Sequence, residues 1–324
     1  MRIPYPIKKS NYAQHGHKVG ELKKTIQGFL FHLRFFFRFR FRKASKKNIF
    51  YFVYDPSFKH PGLADRLKAI VYCYYITKQS GYSFKLIYTK PFVWADYLEP
   101  NLVDWIASPQ DLEYSVADTR LFIYTARRTG INFHLTPERQ YHCYCYQGDD
   151  LFYQTGHPYG QYFGELFNEL FRVSPKLQAA IDASGLVPKT YISVHIRFVN
   201  ALDSFERKKY PTLSESKQLQ LISRCRNAIK KIACQSDMPV YVFSDSKSFL
   251  DSLSDLPVQK LDVSGIAHIS HTEDERAILK TFVDWFCIAN SKVVYRLLAD
   301  ELYQTNFSLY AALINDTKVI DYNV

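Results

Sequence analysis

The segment Tyr191-Ile192-Ser193-Val194-His195-Ile196-Arg197 runs apolar almost to its end and then presents an imidazole and a guanidinium. A guanidinium stays charged and can grip two phosphate oxygens at once, so Arg197 suits an anionic ligand. The alternative is a structural ion pair with a nearby carboxylate, and the local pattern does not choose between them. Asp245 follows a second apolar run, 239–243. Its carboxylate suits the N–H donors of a guanine ring, or a helix cap. Thr305, Asn306, Phe307 and Ser308 open a late helical pattern. Hydroxyl and amide groups at a helix start suit a diphosphate, and Ser308 alone reads equally as a cap. Gly62, Asp65 and Arg66 start another helix. Asp65 there can accept a hydrogen bond from a ligand hydroxyl, or simply favour the helix dipole.

These side chains need a scaffold. A strand over 191–197 that is apolar on both faces belongs in a parallel sheet, and ligands of open α/β sheets bind beyond the carboxyl ends of the strands. In the first half, strands are expected at 48–54, 84–89, 121–125 and 141–146. A helix from residue 63 carries apolar positions 63, 67, 70, 71 and 74, and helices follow at 161–172 and 175–184. Gly185 and Pro188 then mark a boundary. The loop 91–109 carries Trp94 and Trp105, either lining an acceptor site or anchoring a surface loop. The second half alternates more cleanly. Strands are expected at 239–243, 258–263, 292–295 and 318–322, and helices at 215–235, 247–253, 274–289 and 305–313. The helix at 215–235 should bury positions 219, 222, 225, 229 and 232, and the one at 274–289 should bury Ile278, Phe282, Trp285 and Ile288. This is the βαβ rhythm of a nucleotide-binding α/β fold.

Composition narrows the partners. The net charge of +11 over 324 residues favours an anionic partner: phosphorylated substrate, anionic lipid or nucleic acid. No nucleic-acid motif accompanies it. His134, His142 and His157 lack metal-ligand spacing, Cys143-Tyr144-Cys145 is not a CxxC pair, and the chain has no Asp-x-Asp. No metal is expected. The first 20 residues are polar, without the apolar stretch of a secretory leader, and most of the six cysteines read as buried thiols, so a cytoplasmic location is expected.

Residues 1–47 form a basic, aromatic arm. Within 21–47, Arg34, Arg38 and Arg42 stack at helical spacing beside Phe31, Phe35 and Phe39. That pattern suits a helix lying in an anionic membrane interface. A strand with one wet face, or an element packed on its own domain, suits it as well.

Five motifs in order now carry a resemblance. Pro61-Gly62-Leu63-Ala64-Asp65-Arg66-Leu67 resembles the Gly-Gly-Leu-Gly-Asn/Asp-Arg-Leu opening of the GDP-fucose-dependent fucosyltransferase superfamily. Val194-His195-Ile196-Arg197 is similar to its His-x-Arg motif, and Val242-Phe243-Ser244-Asp245-Ser246 to its strand-Thr-Asp motif. Phe282-Val283-Asp284-Trp285 with Thr305-Asn306-Phe307-Ser308 looks like its C-terminal Asp-helix and Ser-x-Phe-Ser motif. The connector at 170–178 is similar to that of bacterial members. Together they span residues 48–322.

The resemblance implies a GT-B-like α/β fold, with two Rossmann-like domains facing a central cleft. Residues 48–188 would form the acceptor-side domain and 189–324 the nucleotide-sugar-binding domain. It implies inverting, metal-independent transfer of L-fucose from GDP-fucose to a hydroxyl of a glycan acceptor, free or lipid-linked, in surface polysaccharide or glycoconjugate synthesis. Arg197 would hold the β-phosphate. His195 and Asp245 would line the guanosine, and Thr305, Asn306, Phe307 and Ser308 would bind the diphosphate. Gly62, Asp65 and Arg66 would face the fucose or the acceptor. Asp65 and Asp203 are the candidate general bases. Pro61 replaces a Gly of the opening, Phe198-Val199-Asn200 stands where an acidic motif is usual, and Thr305-Asn306 replaces Ser-Ser. These departures keep open a transferase for another nucleotide sugar and a non-catalytic membrane-surface binding protein.

Overall fold

A computed structural model of the chain describes residues 26, 29–30, 33–55, 62–124, 135–145, 162–202, 212–261 and 274–324. The first half builds β1 (Ile49–Val53), α1 (Leu63–Gln79), β2 (Ser83–Ile87), β3 (Leu98–Pro100), β4 (Thr119–Tyr124) and β5 (Gln140–Cys145). It continues through α2 (Phe163–Leu170), β6 (Phe171–Val173) and α3 (Pro175–Asp182). β1, β2, β4 and β5 form one all-parallel sheet in the order β2-β1-β5-β4. β3 and β6 make a separate antiparallel pair.

β1 shows why the sheet needs cover on both sides. Its sequence, Ile-Phe-Tyr-Phe-Val, is apolar at every position. Phe50 and Phe52 point into the large core beneath α1. Tyr51 and Val53 point the other way, into a cluster with Phe35, Ile87 and Tyr144. α1 buries Leu63, Leu67, Ile70, Val71 and Tyr74, the positions its periodicity marks.

The second half builds β7 (Ile192–Ile196), α4 (Glu215–Cys234), β8 (Val240–Ser244), α5 (Lys247–Asp251), α6 (Glu275–Asn290), β9 (Val293–Leu298), α7 (Phe307–Ile314) and β10 (Lys318–Asn323). Its four strands form a second all-parallel sheet, β10-β9-β7-β8. β7 is central and buried at all five positions, so the doubly apolar strand sits where both faces are dry. Two details differ from expectation. Leu219 is 62% exposed, and Leu221 is buried in its place on α4. The run from Val258 is no full strand among its described residues: only Gln259 bridges to Tyr241, after which residues 262–273 are not described.

The two halves share one apolar core. Tyr97 stacks on Phe282 of α6 at 4.7 Å, and Phe92 and Trp94 meet the same ring edge-on. Phe163 meets Tyr310 of α7 at 4.7 Å. Asn168 Nδ2 donates to the carbonyl of Ile314 over 3.0 Å. Thus α2 and α3, first-half helices in sequence, lie against α7 and α6. Trp94 and Trp105 are buried, and Trp105 Nε1 donates to Leu170 O. The loop 91–109 is therefore tied down by tryptophan anchors.

The arm packs on its own domain over residues 33–47. Phe35 is buried against Tyr114 and Tyr144, while Arg34, Arg38 and Arg42 stay exposed. Arg40 bridges to Ser115, and the backbone N–H groups of Ala44 and Ser45 donate to Asp118 and Glu113. The arm thus covers the sheet face that the helices leave open. Phe31 lies outside the described residues.

α2 approaches α7 so closely that a Cβ at Gly164 would fall on the carbonyl oxygen of Leu313 and lie 3.1 Å from its carbonyl carbon. Backbone cannot step aside as a side-chain tip can. Gly164→Ala should therefore destabilise the protein by about 2–3 kcal/mol. Urea unfolding followed by circular dichroism checks it, and an unchanged midpoint would mean that the helices are not so close.

Candidate functional site

β7 delivers His195 and Arg197 to its carboxyl end, and β8 delivers Asp245 beside them. The Asp245 carboxylate accepts from the backbone N–H groups of Phe198 (2.8 Å) and Val199 (2.9 Å). Val199 sits at φ +55°, a left-handed conformation that a β-branched residue rarely adopts. Asp245 thus closes a strained turn directly after Arg197. Its Oδ2 lies 3.9 Å from Arg197 Nε, a long ion pair that leaves the guanidinium side chain 18% exposed. Arg197 also lies over the Tyr303 ring at 5.9 Å, and Tyr303 N–H donates to the Arg197 carbonyl. Arg197 is thus leaned on by a carboxylate and still reaches the surface.

α7 starts alongside. Thr305 Oγ1 accepts from Phe307 N–H at 3.1 Å, and the Thr305 carbonyl accepts from Arg296 Nη1 at 3.3 Å. Arg296 is buried in β9 and forks onto Asp321 of β10 at 2.7 and 2.8 Å. It pins the loop before α7 from inside the sheet. Phe307 stacks on His195 at 5.6 Å and meets Trp285 edge-on at 4.9 Å. Ser308 is fully buried, and its Oγ has no hydrogen-bond partner among the described residues; neither has His195 Nδ1. Unpaired buried polar atoms are costly; Ser308 lies in the first turn of α7, and the His195 ring on β7 stacks on Phe307 beside it. Burial, then the nearby Arg197 and Arg296, pull the His195 pKa down to about 3, so the ring is neutral at pH 7.

α1 brings Gly62, Asp65 and Arg66. Gly62 is the helix N-cap and its carbonyl accepts from Arg66 N–H. Asp65 pairs at 2.5 Å with Lys68, whose side chain is fully buried. The Lys68 ammonium lies 5.2 Å from the centre of the Tyr310 ring on α7. Contacts therefore run from Asp65 through Lys68 and Tyr310 to the helix that carries Phe307 and Ser308. Arg66 turns inward: it is buried, donates to the Tyr88 hydroxyl and lies over the Tyr54 ring at 5.4 Å. Asp203 lies outside the described residues.

Reading the sequence missed Lys68 and Arg296. Each is a cation inside an apolar pattern, which was the available signal. Among the described residues, no three His, Cys, Asp or Glu side chains are grouped as a metal site would group them. The arrangement can receive an anion: one guanidinium, one helix N-terminus and a buried hydroxyl, in a largely dry setting.

Solved structures share this architecture. A NodZ α-1,6-fucosyltransferase soaked with GDP-fucose superposes with a TM-score of 0.55 at 14% identity, over 86% of this chain and 95% of that one. A mutant of Arabidopsis thaliana FUT1 in complex with GDP gives 0.51 at 10% identity, over 99% and 80%. The chain shares the fold of these two enzymes. The likeness in three dimensions agrees with the resemblance read from the motifs. No protein-family model matches, and no curated protein matches significantly in sequence.

Two buried histidines make stability depend on pH. Burial holds His142 down to about 3, against the pull of Glu113, and His195 is also near 3. In the unfolded chain both take a proton near pH 6.5, and folded they resist it until about pH 3. Their contribution is thus complete above pH 6.5 and is lost as pH falls towards 3. At pH 5.5 the loss should be about 1–1.5 kcal/mol for each. Denaturant unfolding at pH 7.5 and 5.5 reads this slope, and His142→Phe should roughly halve it. An unchanged slope in that variant would exclude His142 as a source.

Proposed function

We propose that the chain is an inverting glycosyltransferase that moves L-fucose from GDP-fucose to a hydroxyl of a glycan acceptor in surface polysaccharide or glycoconjugate synthesis. The observation that carries this reading is the pair of buried, unpartnered polar atoms, Ser308 Oγ and His195 Nδ1, at the start of α7 beside Arg197. The fold shared with enzymes captured with GDP-fucose or GDP supports the donor. In this reading the chain forms two Rossmann-like domains, 48–188 and 189–324, with the donor in the cleft between them.

The bond from fucose C1 to the β-phosphate oxygen breaks, the sugar gains oxocarbenium character, and the electron pair leaves with GDP. Arg197 and the N–H groups at the start of α7 meet that growing charge where it develops, in a preorganised and poorly solvated setting. The neutral His195 ring and the Asp245 carboxylate line the guanosine, and Thr305, Asn306 and Phe307 shape the diphosphate cradle. An acceptor hydroxyl attacks C1 from the opposite face, and its proton passes to a carboxylate. Asp65, on the acceptor side and ion-paired with Lys68, is one candidate; Asp203 is the other. Gly62 and Arg66 hold the start of α1 in position around the sugar. No divalent ion is needed in this scheme, and the enzyme works in the cytoplasm.

Thermal shift with GDP, UDP and CDP tests the nucleotide, because only a bound ligand raises the melting point. GDP should stabilise and the others should not. Incubation with GDP-fucose and a glycan panel in EDTA tests transfer. Arg197→Ala should lower turnover by at least about 100-fold, and Arg197→Lys should also be poor because a point charge cannot replace a fork. Near-normal turnover in Arg197→Ala would remove the phosphate assignment. GDP binding without hydrolysis or transfer would reassign the chain as a binding protein, and stabilisation by UDP or CDP alone would reassign the donor.

A further inference from the structure

The positive charge of this protein is confined to one end. Of 42 Lys and Arg and 31 Asp and Glu, residues 1–47 hold 13 and 1, which leaves the rest of the chain with 29 and 30. The body that carries the candidate site is therefore close to neutral, and the whole excess belongs to the arm. Within 33–47 there are seven cations and no acid.

This part of the arm has two faces with different duties. Inward, Phe35 is 2% exposed and packs into the cluster of Tyr51, Val53, Ile87 and Tyr144. Outward, Phe36 is 72% exposed, Phe37 74% and Phe41 100%. Arg42 and Lys43 are exposed beside them. Three phenyl rings held in water next to fixed cations are not explained by folding, because the inward ring already covers the sheet. Among the described residues, the large exposed apolar side chains outside the arm are scattered along the chain, whereas Phe36 and Phe37 meet ring to ring and Phe41 follows within a few residues.

We propose that the outer face of residues 33–43 seats the protein on an anionic bilayer surface. Charge complementarity selects this occupant. A second copy docked symmetrically on the same patch would bring like cations face to face with no acid from the arm to meet them. A bilayer with anionic headgroups takes both elements at once: phenyl rings enter the headgroup–acyl boundary, and each cation near the surface adds attraction. No helix among the described residues is long and apolar enough to cross a membrane, so the attachment is lateral. Because residues 40–46 are bonded to Ser115, Asp118 and Glu113, the seat is rigidly joined to the first sheet. The bilayer would then hold the acceptor-side half in a fixed attitude. The proposal is independent of the donor: vesicle binding and GDP binding are read on different surfaces.

The test is flotation of the full chain with phosphatidylcholine vesicles, with and without phosphatidylglycerol. Phosphatidylglycerol should raise the bound fraction by about tenfold, and salt should reverse it. Phe36→Ser with Phe37→Ser and Phe41→Ser should abolish binding, and Arg42→Gln with Lys43→Gln should weaken it, all without moving the melting point, since these side chains are exposed. Equal binding to neutral vesicles, or unchanged binding in the triple serine variant, would overturn the proposal. So would a concentration-dependent dimer that the serine variant converts to monomer, or an oligonucleotide that binds as tightly as vesicles and ignores the phenylalanine changes.

Discussion

The contact between first-half and second-half helices constrains everything else in this molecule. Each parallel sheet presents its carboxyl ends to a ligand independently, but neither alone sets where the other's ends lie. That register comes from a dry layer in which Tyr97 stacks on Phe282 and α2 lies backbone to backbone on α7. Aromatic stacking tolerates small slides; a glycine against a carbonyl does not. Gly164 therefore fixes α7 relative to the first half more stringently than the larger rings around it. Whatever α7 holds at its N-terminus is placed against α1 by the same contact.

On that frame the site uses charges that are already committed. Arg296 spends its fork on Asp321 and one further N–H on the Thr305 carbonyl. Asp245 spends both oxygens on the turn after β7. Such pairs bring little net stability once desolvation is counted, but breaking one side is expensive, so they hold geometry firmly. The strained Val199 turn persists for this reason. Arg197 is held differently: its ion pair with Asp245 is long, 3.9 Å, and its side chain keeps some exposure.

Much of this was legible in the sequence, and the exceptions have physical causes. The parallel strands announced themselves because a strand buried on both faces must be apolar throughout, as β1 and β7 are. The helix starting at Leu63 was legible from its spacing. Leu219 and Leu221 lie about 200° apart on the helix, and Leu221 is the one in line with the buried Cys225, Ile229 and Ile232, a spacing the sequence already held. Arg296 was missed because its partner, Asp321, belongs to a separate strand. Lys68 was missed because the ring that covers it, Tyr310, lies far along the chain, although its ion-pair partner Asp65 is on the same helix. The sequence around Arg66 gave no sign that it turns inward beneath Tyr54 and Tyr88.

The arm shows how one pattern can satisfy two readings. Alternating Phe and Arg describes a segment with opposed faces, and says nothing about which face meets protein. The sheet answers that question. β1 needs cover on the Tyr51–Val53 side, and among the described residues the cluster there takes Phe35 from the arm. With Phe35 turned inward, Phe36 and Phe37 are left exposed and meet each other edge-on. The basic neighbours of the exposed rings then determine what kind of surface can cover them.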